Sequence, residues 1–111
     1  MNQGENAVMV FTIFYSWQSD LPDNTNRHFI QKAIEEAVKS LKKEDVLEVQ
    51  PVIDRDTRGV PGSPDIADTI FRKIDASQVF VCDISIINKG LQSKPTPNPN
   101  VLVELGYAMR A

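Results

Sequence analysis

Val8-Met9-Val10-Phe11-Thr12-Ile13-Phe14-Tyr15 is a near-continuous run of branched and aromatic residues. A strand with one wet face alternates apolar and polar residues. An almost unbroken run of this length predicts a strand covered on both faces, as in a parallel sheet. The polar, turn-forming stretch Ser16–Asp23 follows as a loop. Working outward, Val46–Asp54 predicts a second strand, and Pro51 assigns part of it to a sheet edge or a bulge. Val79–Ile84 predicts a third. Between the strands lie helical patterns. From about Thr25 to Lys43, Phe29, Ile30, Ala33, Ile34, Ala37, Val38 and Leu41 form one apolar stripe. Ser63-Pro64-Asp65 opens a second helix with Ser at the N-cap and Pro at the first position, and Ile66, Ile70 and Ile74 form its buried edge. Asn98-Pro99 opens a third in the same way. The alternation of strand and helix predicts an α/β fold, a parallel sheet with helices on both faces. Ligands of such sheets bind beyond the carboxyl ends of the strands. Here that edge carries the loops Ser16–Asp23, Asp54–Gly62 and Ser85–Asn98.

Composition narrows the function classes. The chain has 111 residues, 41% hydrophobic and 24% charged, which predicts one ordinary globular domain. A net charge of −3 argues against a nucleic-acid binder, which would carry a basic face. Its lone cysteine, Cys82, excludes an internal disulfide framework and a cysteine metal cage. The apolar run Ala7–Tyr15 is too short to span a bilayer and lacks a basic leader segment, so a cytoplasmic protein is expected, with no membrane partner. No Gly-x-Gly-x-x-Gly, no Walker lysine loop and no zinc spacing is present.

Several residues stand out against this background. Glu104 lies between Val103 and Leu105, and Asn100, Glu104 and Tyr107 share a face of the last helix. Gly106, unfavourable in a helix interior, suggests a close approach to the backbone there. Asp54 and Arg55 close the second strand, where they either meet ribose hydroxyls and phosphates or form a salt-bridged turn with Asp56. Asp83 ends an apolar strand, as a ligand contact or as a structural hydrogen-bond acceptor. Trp17 either stacks on a base or packs under its loop. Arg27 stands in the first turn of the long helix, where an anionic ligand would compensate a misplaced cation.

The segments Ile53-Asp54-Arg55-Asp56, Pro61-Gly62-Ser63-Pro64-Asp65-Ile66 and Ile74-Asp75-Ala76-Ser77-Gln78-Val79-Phe80-Val81 resemble the TIR domain family. Phe14-Tyr15-Ser16-Trp17-Gln18-Ser19-Asp20 and the helix Asn98-Pro99-Asn100-Val101 with Glu104-Leu105-Gly106-Tyr107-Ala108 look like bacterial TIR-like proteins described as predicted nucleotide-binding. The latter helix is also similar to one of nucleoside deoxyribosyltransferases. The resemblance runs from Val8 to Ala111. It implies a flavodoxin-like fold and, in catalytic members, cleavage of the nicotinamide–ribose bond of NAD by a glutamate at the position of Glu104. NAD is then substrate or ligand, and no metal or other cofactor is needed, because the pyridinium is already a good leaving group. Ser16, Trp17 and Gln18 are expected to bind the substrate, Trp17 and Gln18 near the base or nicotinamide. Arg27 and Arg55 are expected near phosphates, Asp83 and Asn100 on the ribose side, and Asp54 as a further substrate contact. The alternatives are a non-catalytic signalling or assembly module and a deoxyribosyltransferase with Glu104 as nucleophile. The chain is expected to be the N-terminal portion of a longer domain, or to cover its sheet edge and last helix by self-association.

Overall fold

The computed structural model describes residues 9–43, 49–55 and 64–110. It is an α/β structure with three parallel strands and three helices: β1 (Met9–Ser16), α1 (Arg27–Lys43), β2 (Val49–Arg55), α2 (Pro64–Ala76), β3 (Val79–Cys82) and α3 (Pro99–Ala108). The strand order is β2-β1-β3. β1 is therefore central, and β2, which carries Pro51, is an edge strand.

Register explains which part of β1 is buried. β2 pairs with Met9 to Tyr15, whereas β3 pairs only with Ile13 to Ser16. Ile13, Phe14 and Tyr15 are thus flanked on both sides, and they and Ser16 are all buried. Val10, ahead of the β3 pairing, is 54% exposed. The apolar run predicts a strand buried throughout, and only its second half is so. Gln78 extends the ladder before β3 begins: its backbone N–H donates to the Thr12 carbonyl at 2.9 Å, and its side-chain oxygen accepts from the Thr12 N–H at 2.7 Å.

Consecutive residues of β1 show how the layers are arranged. The Tyr15 hydroxyl donates to the Arg27 carbonyl at the start of α1, while the Ser16 hydroxyl donates to Glu104 of α3. Successive side chains of a strand point to opposite faces, so α1 and α3 flank the sheet from opposite sides. Phe14 shares the α3 face with Ser16 and stacks on Phe80, its register partner, with ring centroids 5.9 Å apart. α2 packs against α3 and β1, and α1 against β2.

The α1 stripe is covered on one side only. Val38 is buried and Ile30 and Ile34 are half-buried, but Phe29 is 63% exposed and Ala33, Ala37 and Leu41 are exposed as well. Three strands about 4.8 Å apart span about 10 Å between outer axes, roughly one helix diameter. So narrow a sheet cannot cover a stripe wider than its line of contact. β3 is shorter than expected, ending at Cys82. Within α2, Ile74 is buried, Ile70 is half-buried and Ala67 is exposed. The expected cap Ser63, the side chain of Ile66 and the Asp56–Gly62 loop lie outside the described residues.

Candidate functional site at the carboxyl edge of the sheet

In the order β2-β1-β3 the chain leaves β1 through α1 on one face and leaves β3 into α3 on the other, so the crevice lies between the carboxyl ends of β1 and β3. Their carboxyl ends are tied there: the Asp83 N–H donates to the Ser16 carbonyl at 3.1 Å. Two buried carboxylates flank this point on opposite faces.

On the α3 face stands Glu104, 4% exposed, which accepts from the fully buried Ser16 hydroxyl at 2.5 Å. The helix is placed by its own start. Asn98 caps it, its side-chain oxygen accepting from the Asn100 and Val101 N–H groups, with Pro99 following as expected. The Asn98 amide also donates to Asp20 at 2.7 Å, tying the cap to the loop after β1. Val101, fully buried, anchors the same turn. Asn100 is exposed. The close approach expected at Gly106 is not found. The residue is exposed, and a β-carbon built there meets no described atom within 4 Å.

On the α1 face stands Asp83, 3% exposed. One of its oxygens accepts from Gln18 at 2.8 Å and Asn26 at 3.0 Å; the other accepts from the Ser85 N–H at 3.0 Å and its hydroxyl at 2.6 Å. Burial alone would raise this carboxyl. The bonds from Ser85, Asn26 and Gln18 outweigh it and hold Asp83 below the usual carboxylate range. Gln18 also accepts from the Asp20 and Leu21 N–H groups, at 2.8 and 3.0 Å. Gln18 and Asp83 therefore join the loop after β1 to the end of β3. Burial, and then the charge of Asp83, push the Tyr15 phenol up to about 12.

Trp17 and Arg27 meet each other. The guanidinium lies 3.9 Å from the indole centroid, so one face of the ring is already covered. Asp54 pairs with Lys73 of α2 at 3.4 Å, a partner outside the turn expected with Asp56. The Arg55 side chain lies outside the described residues. A groove of about 580 Å³ runs beside the Asp83 cluster between Leu21, Pro22 and Asn26 on one side and Ile84, Ser85 and Ile87 on the other.

The structure thus brings Ser16 to Glu104, Gln18 to Asp83 and Trp17 to Arg27. Asn26, Ser85 and Asp20 complete these clusters and were not foreseen as site residues. An Asn directly before a helix and a Ser two residues after a strand-end Asp are the signals that could have found two of them. Among the described residues no group of three or more His, Cys, Asp or Glu could hold a metal ion, and no helix is long and apolar enough to cross a membrane. No protein-family model, curated protein or solved structure matches the chain.

Proposed function

We propose that the chain is a TIR-like, flavodoxin-like domain that binds NAD or a related nucleotide at the carboxyl edge of its sheet and cleaves the nicotinamide–ribose bond. The observation that carries this reading is the buried Glu104 carboxylate held against Ser16 at the end of the central strand. The strand order β2-β1-β3 supports the fold assignment. Loss of nicotinamide leaves positive charge on the ribose, and a carboxylate fixed in a low-dielectric site stabilises it. In that step the C–N bond breaks, nicotinamide leaves with the electron pair, and water supplies hydroxide to the ribose carbon and a proton to solvent. Trp17, beside Arg27, is the aromatic side chain of the loop after β1 proposed to meet the base or nicotinamide, and Arg27 and Arg55 supply charge for phosphates. The test is incubation of the pure protein with NAD and chromatography of released nicotinamide. Release by the wild type and its loss in a folded Glu104→Gln variant are expected. Absence of both release and calorimetric binding of NAD overturns the reading.

A second reading, an assembly module without catalysis, is favoured by exposed apolar side chains along one flank. Leu102 and Val103 of α3 and its C-cap Met109 are 40%, 59% and 74% exposed, and β3 is an edge strand beneath that helix. On this reading the flank is covered by another TIR-like domain or a second copy of the chain.

A further inference from the structure

We infer that Asp75 is a positioning residue for the Glu104 carboxylate, acting through Tyr107 and Arg110. This rests on reading Glu104 as the working group of the site.

Asp75 stands in the last turn of α2, and its two oxygens are used by Tyr107 of α3 and by Arg110 just beyond it. One accepts from the Tyr107 hydroxyl at 2.6 Å and the other from the Arg110 guanidinium at 2.6 Å. The Tyr107 ring is sandwiched. Phe71 of α2 stacks on it, with centroids 4.1 Å apart and planes 9° apart, and the Arg110 guanidinium lies 3.7 Å from its centroid. Arg110 also donates to the Tyr107 carbonyl at 3.0 Å, closing the helix end. The hydrogen bonds from Tyr107 and Arg110 hold the Asp75 carboxyl below its ordinary range.

Tyr107 stands three residues beyond Glu104, on the next turn. α3 has ten residues, too few to hold a position by helix propensity alone. Its first turn is fixed by Asn98, Asp20 and Val101, while on its outer side Leu102, Val103 and Met109 are exposed. The Asp75 clamp therefore restrains the roll of its second half, beside its packing on α2 and β3. A side-chain tip lies about 5–6 Å from a helix axis, so a roll of roughly 10° displaces it by on the order of 1 Å. The Ser16–Glu104 bond at 2.5 Å cannot absorb that, since hydroxyl bonds weaken beyond about 3.0 Å. The clamp on one helix face thus governs a contact on another.

The test compares the wild type with Asp75→Ala, Tyr107→Phe and the control Arg72→Ala, by carbon-detected NMR of the Glu104 carboxyl and Ser16 Cβ. Arg72 lies on α2, where it bonds to Asp68 and not to the clamp residues. Asp75→Ala is expected to move both resonances. Tyr107→Phe, which keeps the stacked ring, should move them the same way by less, and Arg72→Ala should leave them in place. Unmoved resonances in a folded Asp75→Ala or Tyr107→Phe variant overturn the inference; should Asp75→Ala not fold, Tyr107→Phe decides. A second arm measures nicotinamide release. If the wild type cleaves NAD, Asp75→Ala should lower kcat about ten- to hundredfold with KM little changed. If the wild type releases nothing, the proposed activity fails, and the resonances still decide the positioning role.

Discussion

Ser16 and Glu104, 88 residues apart in the chain, meet through a 2.5 Å hydrogen bond that joins the end of the central strand to the middle of the last helix. Both are buried, so the bond is a structural tie as well as a preorganised acidic site. Glu104→Gln keeps the shape and removes the charge. It should stay folded and lose any glycohydrolase activity, measured as nicotinamide release beside a circular-dichroism melt. Full activity in a folded Gln variant would remove Glu104 from the chemistry. Glu104→Ala should also lower stability, by about 1–3 kcal/mol, because the Ser16 hydroxyl loses this acceptor.

Asp83 answers to a different measurement. Asp83→Asn turns one oxygen into a donor facing donors from Gln18 and Asn26, or from Ser85. A loss of about 1–3 kcal/mol is expected in urea titrations at neutral pH. Its folded-state pKa is depressed, so its contribution is present above the unfolded value, near 3.9, and fades as pH falls through the folded value. The gap between wild type and variant should therefore narrow below about pH 4. A gap independent of pH would show that the Asp83 charge is not what the network stabilises.

Trp17 is a built-in reporter. Arg27→Ala uncovers one face of the indole and should shift its emission, at a cost of about 0.5–1 kcal/mol. NAD or ADP-ribose should also change the emission of the wild type. A ligand complex with Trp17 far from the nucleotide would contradict the placement of the ring in the site.

The exposed flank of α3 and β3 predicts association. Sedimentation across a concentration series should show a dimer or higher species, and Val103→Lys, on the exposed face, should disperse it. A strictly monomeric chain at high concentration, melting cooperatively at an ordinary temperature, would show that the flank needs no cover.

The order of the six elements was legible because each carries its own local signal: the apolar run of β1, Pro51 on an edge strand, and Asn98-Pro99 at the start of α3. What was not legible depends on distance and width. The Asp83 cluster draws Gln18 and Asn26 from 65 and 57 residues away, and no periodicity encodes such a meeting. Phe29 sits correctly in its stripe yet is exposed, because a pattern reveals an apolar face but not how much neighbour there is to cover it. Glu104 drew attention as an acid between apolar neighbours, but its partner Ser16 was foreseen only as a ligand contact.

Tyr15 and Ser16 reach α1 and α3 from adjacent positions of one strand. This makes β1 a parity lock. Deleting or inserting one residue within it exchanges the two faces, sending the phenol toward Glu104 and the hydroxyl toward α1. Changes of length in this chain are therefore expected to be tolerated in its loops and lethal to the fold in β1, whatever residue is added or removed.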